Sequence, residues 1–457
     1  VQELLRETVR TGPAGARRTI QATRAVLETS REFLQSGAQD KPEVVLRKLF
    51  ERLGSTYIKL GQFIASSPSL FPEEYVREFQ KCLDSTPPVP WSTIRNTIER
   101  DLGRPIAEVF EFVDPKPLAT ASIAQVHAAR LRPGGQEVVV KVLKPGVADV
   151  LDVDLTFLTS AAKVLEFLNP RFSRVSLVDV LSDIRKSMLE EVDFTKEAQN
   201  MKDFELYLKS QGIASATSPF VYTTASSKKV MTMERLKGAP LVDLKSIREI
   251  TSEDPEAVLI NALNVWLGSV LLAPSFHADV HAGNLLVLPD GRVGFIDFGI
   301  VGRISPVTFV SVEKFLQSIQ LQNYDMMAKA LVTMGATEYD RSENSKVSEI
   351  DMVEFAADLK ELFEGLFNLD PQYVVRGRTD QATGQTILNA TVEFDPDEVN
   401  NILLDLVKVT EKHGLRLPRE FVLLVKQILY FDRYVQALAP DLQVLNDDRI
   451  ELAQDAR

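Results

Sequence analysis

One cysteine stands in 457 residues, and with only four histidines beside it the chain has no material for a disulfide framework or a thiolate metal cluster. Cys82 therefore reads as a small apolar packing residue, and the scarcity of thiols suits a reducing compartment. Without a His/Cys cluster, no structural zinc site is expected. An excess of cations is missing too. The 52 Lys and Arg residues face 64 Asp and Glu, a net charge of −12, so the clustered positive charge that nucleic-acid phosphates require is not provided and no nucleic-acid partner is expected. Nor is there a long apolar run. The best stretch, Val258 to Ala273, is interrupted by Asn261, Asn264 and Ser269, falls short of the ~20 residues that cross a bilayer, and reads as a buried helix. Membrane contact is expected to be peripheral. The chain begins at Val1 rather than Met, so any targeting segment is expected to lie outside it.

What is present is enough apolar material, 45% of residues, to fill more than one core, and a length that exceeds the usual size of a single one. Residues 1–111 carry helical patterns, with Leu27, Phe33 and Leu34 in one run and Val44, Leu46, Leu49, Phe50 and Leu53 in the next. Ser85 to Pro90, with three prolines, must be a loop, and a new helix is expected near Ser92. Residues 112–236 change character. Ser122 to Leu131 and Glu137 to Leu143 read as strands around the turn Arg132-Pro-Gly-Gly135, long helical patterns cover 149–168 and 177–208, and Val221 to Thr224 with Lys229 to Met233 reads as another strand pair. Residues 237–457 read as helical except for a hairpin over Leu285 to Ile296, turned at Pro289-Asp-Gly291.

The most specific motif is His277-Ala-Asp-Val-His-Ala-Gly-Asn284 followed by Phe295-Ile-Asp-Phe-Gly299. Phosphoryl transfer of the kinase type needs a carboxylate at the acceptor, an amide oxygen five residues on, and a second carboxylate, the last two holding Mg²⁺ through oxygen. Asp279, Asn284 and Asp297 fit in that order. Lys141, closing the run Val138-Val-Val-Lys141, is the natural strand lysine for the ATP phosphates. His281 is open to two readings, a contact to the γ-phosphate or a structural hydrogen bond, while His277 reads as an anchor of the loop and His127 as a packed or surface strand residue.

Three further segments, Lys59-Leu-Gly-Gln62, Ala119-Thr-Ala-Ser-Ile-Ala-Gln-Val126, and Glu191-Val-Asp193 before Glu197-Ala198, make the chain resemble the UbiB/ADCK family of atypical kinase-like proteins, of a plastid or cyanobacterial type, from about Val44 to Leu442. The resemblance implies an α+β, bilobal, protein-kinase-like fold with an N-terminal helical extension carrying Lys59 and Gln62 (1–111), an N-lobe with a helical insertion before helix αC (112–236) and a helical C-lobe (237–457). It implies that Glu197 on αC pairs with Lys141, that Lys59 pairs with Glu191 while Gln62 lies near nucleotide, and that the Glu234 carbonyl and Leu236 amide hold adenine. Taken alone, Lys59 and Gln62 would read as solvated helix surface. The loop Ala119, Thr120, Ala121, Ser122, Ile123, Ala124 would stand where ordinary kinases have glycines, and its Cβ atoms would restrict backbone approach to phosphate. By composition alone it is also a plain strand–turn junction of small residues. Two departures stand out. The family's His-Ala-Asp-Pro-His-Pro-Gly-Asn has Val280 and Ala282 here, which is expected to loosen the loop, and no Ala-Pro-Glu follows Gly299 to close an activation segment.

The expected activity is that of an atypical kinase or ATPase using ATP and Mg²⁺ in prenylquinone or other isoprenoid-lipid metabolism, at a chloroplast membrane or, as alternatives, at a mitochondrial or bacterial inner membrane. Its expected partners are ATP, a lipid or quinone-pathway ligand and the membrane surface, with a homodimer or a lipid-biosynthesis complex as its setting. Two other functions compete: a Ser/Thr protein kinase, disfavoured by the missing Ala-Pro-Glu, and a nucleotide- or lipid-binding pseudokinase scaffold, disfavoured by the complete set Lys141, Glu197, Asp279, Asn284 and Asp297.

Overall fold

The computed structural model of the chain describes residues 12–35, 40–65, 71, 73–81, 88–168, 177–339, 350–367, 373–379, 386–392, 396–415, 417–439, 442, 447, 449 and 450. Cys82 and the 85–87 part of the proline-rich stretch lie outside them. The chain divides into two compact units, Val1–Gln199 with Phe220–Arg235, and Asn200–Pro219 with Leu236–Arg457.

In the first unit the apolar repeats of the N-terminal segment give helices α1 (Gly12–Gln35), α2 (Pro42–Leu53), α3 (Ser55–Ala65) and α4 (Glu73–Phe79). Helices α2, α3 and α4 meet at Phe50, whose ring packs edge-on against Tyr57 at 5.4 Å and Phe79 at 5.0 Å. The chain turns between α2 and α3 at Gly54, where φ is +96°, a conformation glycine adopts without a Cβ penalty. After α5 (Trp91–Leu102) and α6 (Ile106–Val109) comes an antiparallel sheet of β1 (Phe110–Thr120), β2 (Ala124–Leu131) and β3 (Glu137–Leu143), which is completed by the later strand β5 (Val230–Glu234) in the order β1-β2-β3-β5. Side chains alternate along β3. Val138, Val140 and Val142 are fully buried against Ile94 and Ile98 of α5, so Lys141 is carried on the other face. Helices α7 (Val147–Leu168) and α8 (Leu177–Glu191) follow, both packed against α3, and then α9 (Phe194–Ser210), in which the division between units falls.

The helical pattern over 177–208 is not one helix. It breaks at Val192-Asp193, where neither proline nor glycine stands, because the Asp193 carboxylate accepts from the Thr195 N–H at 3.1 Å and the Phe194 N–H goes to the Lys228 carbonyl at 2.9 Å. The expected strand over 221–224 is corrected as well. Val221 makes one bridge to Met233, and Thr223–Ala225 is a 3₁₀ turn.

The second unit is built on α11 (Pro255–Leu272), which follows β4 (Ala216–Thr217), β6 (Ala239–Pro240) and α10 (Leu244–Ile250). By length and composition α11 is apolar enough to cross a membrane, yet Leu259, Ala262 and Trp266 are wholly buried in this unit. The Trp266 ring lies 5.3 Å from Phe431 and 6.2 Å from Phe276. Strand β7 (Phe276–His277) leads into the loop that ends at Asn284, β8 (Leu285–Val287) and β9 (Val293–Phe295) form the expected hairpin, and β10 (Val301–Gly302) pairs back to β7. Helices α12 (Pro306–Gln320), α13 (Tyr324–Tyr339), α14 (Met352–Phe367), α15 (Pro396–Lys412) and α16 (Arg419–Leu438) complete it. The expectation of helix throughout is overturned at β11 (Tyr373–Thr379) and β12 (Thr386–Val392), an antiparallel pair whose β-branched residues, Val374, Val375, Thr386, Ile387 and Thr391, suit a ladder better than a helix.

Candidate active site

The second unit holds the loop from His277 to Asn284. His277 is fully buried: its Nδ1 accepts from the Asp279 N–H at 3.2 Å, so the other nitrogen carries the proton and donates to the Ile296 carbonyl at 2.9 Å. Burial holds this imidazole below its ordinary pKa, which fits a neutral anchor between loop and hairpin. Asn284 donates through Nδ2 to the Asp279 carbonyl at 2.9 Å, which leaves Oδ1 as the amide atom open to a cation. The hairpin returns the chain to the same place: the Ile296 N–H bonds the Asn284 carbonyl at 2.9 Å, and Asp297 comes next. Asp297 has φ +60°, a left-handed conformation that costs a non-glycine residue energy and clusters at functional sites.

The turn after Asp297 is pinned from α9. Asn200 donates to the Phe298 carbonyl at 3.0 Å and accepts from Arg303 at 2.8 Å. A helix then opens at Pro306, capped by the Ser305 hydroxyl, so a long activation segment has no room here. Of the two readings open for His281, the structure shows the hydrogen-bonding one. Its Nδ1 accepts from the Gly283 N–H at 3.1 Å, and its Nε2 faces the Asp279 carboxylate at 3.7 Å. Val280 does not loosen the loop. It is fully buried, its N–H is taken by Gln427 and its carbonyl by Tyr434, both on α16.

The first unit holds the second constellation. Lys141 Nζ lies 2.9 and 3.0 Å from the two oxygens of Glu197, across 56 residues of sequence, with the Phe194 ring centred 5.6 Å away. Glu197 and Phe194 are three residues apart on α9, so one face of that helix offers both the carboxylate and the aromatic that a lysine head group favours. Lys59 on α3 reaches Glu191 at the end of α8 at 2.8 Å, and Gln62 sits on α3 three residues further on. The Ala-rich loop closes on itself. Ala119 and Thr120 end β1, the Ala121 N–H bonds the Ala124 carbonyl at 2.9 Å, the Ile123 carbonyl accepts from the Lys144 N–H at 2.8 Å, and the buried Ser122 hydroxyl has no hydrogen-bond partner. One backbone donor that a glycine loop would offer to phosphate is thereby consumed. Glu234 ends β5 with its N–H on the Phe220 carbonyl at 2.8 Å, and Leu236, in the other unit, packs on Gly294, where an added Cβ would come within 2.8 Å of it.

The end of the Ala-rich motif is structural. Gln125 accepts the Val89 N–H at 2.8 Å, which turns its amide nitrogen toward His127 Nε2 at 3.1 Å, while His127 Nδ1 bonds the Asp114 carbonyl at 2.7 Å. His127 is thus fixed neutral, and burial lowers its pKa. Below the ordinary histidine value of about 6.5 the unfolded chain binds a proton that the folded chain refuses, so stability is fully present above that pH and falls as the pH drops through it. His127→Gln is expected to flatten the loss of unfolding free energy between pH 7.5 and 5.5 in urea titrations. An unchanged slope would show that the imidazole ionises freely in the folded state.

The chemistry of Asn284 and Asp297 suits Mg²⁺. Among the described residues no group of three or more His, Cys, Asp or Glu gathers around one point, so these residues alone offer no complete cage. The Asn284 Oδ1 and the Asp297 carboxylate are hard oxygen donors, and an ion that keeps waters and takes phosphate oxygens needs no more than two such groups. Phe194, Asn200, Gln427 and Tyr434 escaped sequence reasoning. Phe194 alone left a signal, its spacing of three from Glu197.

An α+β chain with a strand lysine held by a helix carboxylate, and a loop carboxylate and amide followed by Asp-Phe-Gly, is of the protein-kinase-like class. Residues 81–331 match the ABC1 atypical kinase-like domain and residues 398–443 the UbiB helical domain, and the chain belongs to the ABC1/UbiB family of atypical kinase-like proteins. It is 50% identical, over 100% of this chain and 86% of the relative, to an uncharacterized aarF domain-containing protein kinase, chloroplastic, of Arabidopsis thaliana. It is 31% identical, over 68% of this chain and 42% of the relative, to protein ACTIVITY OF BC1 COMPLEX KINASE 8, chloroplastic, of the same plant. It is 27% identical, over 92% of this chain and 70% of the relative, to a probable protein kinase UbiB of Aeromonas hydrophila.

The Lys59–Glu191 pair gives a testable consequence of its own. Both side chains are about one-fifth exposed, 21% each, so removal of one partner is expected to cost less than the ~3–5 kcal/mol of a fully buried pair. Lys59→Ala and Glu191→Ala should destabilise the first unit and shift nucleotide selectivity in the same direction, and the double variant should fall short of the sum. A double-mutant cycle on unfolding free energy and nucleotide affinity reads this. Strict additivity would assign Lys59 to solvated surface.

Proposed function

We propose that the chain binds Mg-ATP and acts as an atypical kinase or ATPase supporting prenylquinone or isoprenoid-lipid metabolism at a plastid membrane. The observation that carries the reading is the two-pronged Lys141–Glu197 pair at 2.9 and 3.0 Å, because a lysine that must meet α- and β-phosphates has to be held extended by a carboxylate. Asn284 and Asp297 would hold Mg²⁺, which neutralises charge building on the phosphates. Asp279 orients the acceptor hydroxyl or water and takes its proton, with His281 beside it to face the terminal phosphate. The Ala119–Ala124 loop covers the phosphates with fewer free amides than a glycine loop, the Glu234 carbonyl and Leu236 amide take adenine, and Gln62 approaches the nucleotide from α3. Support for the plastid comes from the chloroplastic relatives.

The experiment is phosphate release from ATP by the purified chain, with Mg²⁺, with and without vesicles containing a prenylquinone, and a generic Ser/Thr peptide substrate in parallel. Vesicle-stimulated release without peptide phosphorylation supports the reading. Peptide phosphorylation at a comparable rate would make the chain a protein kinase, and nucleotide binding without turnover in any lipid would make it a scaffold.

A further inference from the structure

Gln427 and Tyr434 lie seven residues apart on α16, hence on one face of the helix, and both are buried, at 0% and 2% exposure. The Gln427 amide nitrogen donates to the Leu423 carbonyl at 3.0 Å, which aims its oxygen at the Val280 N–H, 2.9 Å away. Tyr434 donates its hydroxyl to the Val280 carbonyl at 2.8 Å, and burial raises its pKa, so it remains a donor. The peptide joining Asp279 to Val280 therefore has both polar atoms bound, its carbonyl by Asn284 and its N–H by Gln427. Whatever turns that plane turns Asp279 and the Asn284 amide together.

We propose that Gln427 and Tyr434 are positioning residues that set the orientation of the two peptides flanking Val280, Gln427 the Asp279–Val280 peptide and Tyr434 the Val280–His281 peptide, so that the C-terminal helical segment matched at 398–443 holds the catalytic loop of the kinase-like segment. The inference rests on the roles given above to Asp279 and Asn284. It also accounts for Val280. Where the family pattern has proline, with its φ fixed and no N–H to offer, this chain has a free N–H and a glutamine that takes it. Fixed φ in one case and a clamped N–H in the other restrain the same bond.

The experiment uses the full chain with Gln427→Met, Val280→Pro, their combination, and Tyr434→Phe, which removes a single oxygen and is the variant safest for folding. Gln427→Met orphans the Val280 N–H, and Val280→Pro orphans the glutamine oxygen. The double variant orphans neither. At a temperature where each variant is folded by circular dichroism, each single change is expected to lower kcat for ATP hydrolysis and Mg²⁺-dependent nucleotide affinity about tenfold, the effect of one buried unmade hydrogen bond. The double variant should recover to within about threefold of wild type. In Gln427→Met and Tyr434→Phe, hydrogen exchange across 278–284 should speed up. Folded Gln427→Met and Tyr434→Phe variants with unchanged exchange and unchanged Mg²⁺ dependence would overturn the proposal, as would a double variant as damaged as the sum. If the wild-type chain neither binds nor hydrolyses ATP, the functional reading falls, and exchange in these two variants decides the clamp by itself.

Discussion

Asp297→Asn is expected to lower Mg-nucleotide affinity by about a hundredfold or more while leaving the fold intact, and the second half of that statement makes the first informative. Position 297 has φ +60°, a conformation in which asparagine is among the few tolerated residues, so the substitution changes charge without changing backbone. What would be lost is one of the two oxygen donors proposed for Mg²⁺, the anionic member of that pair. Asp279→Asn should behave differently. It should spare binding and lower turnover by about 10²–10⁴-fold, because the part proposed for Asp279 is proton acceptance and orientation. Isothermal calorimetry with MgATP and with ATP plus chelator separates the two. Wild-type affinity for MgATP in Asp297→Asn would remove this residue from the metal site, and equal loss of binding and turnover in Asp279→Asn would change its role.

Breaking the Lys141–Glu197 pair should be the costliest single change in the first unit. With 13% and 6% of their side chains exposed, these groups are better shielded than Lys59 and Glu191, so Lys141→Met or Glu197→Gln leaves an uncompensated charge and is expected to cost about 3–5 kcal/mol of unfolding free energy as well as nucleotide binding. The double variant should be markedly more stable than the sum of the two while remaining unable to bind, since the lost charges no longer oppose folding but the phosphate contact is gone. Chemical unfolding beside nucleotide titration checks both halves. A Glu197→Gln chain with wild-type stability and affinity would sever the pair from function.

The candidate site was legible where chemistry demands fixed spacing. Asp279 and Asn284 stand five apart because one loop must present both, and the Pro289-Asp-Gly291 turn announces the hairpin that returns Asp297 to them. The valines before Lys141 announced a strand, and the β-sheet alternation then placed the lysine opposite the core. Other features were invisible because tertiary contacts decide them. The break before Phe194 follows from a hydrogen bond to Lys228, 34 residues on, and the clamp on Val280 comes from residues 147 and 154 positions away with no repeat to signal them. The Ala-rich motif was half legible. Its centre, residues 121–123, is the turn between β1 and β2, but its Gln125, backed by the adjacent His127, holds the chain at Val89.

The central proposal is that the chain binds Mg-ATP and that Lys141 and Asp297 are both needed for that binding. Calorimetric titration of the intact chain with ATP, in the presence and absence of Mg²⁺, tests it most directly. The expected result is one nucleotide per chain, bound only with Mg²⁺ and lost in both Lys141→Met and Asp297→Asn. Binding that ignores Mg²⁺, or that survives either substitution, would contradict it.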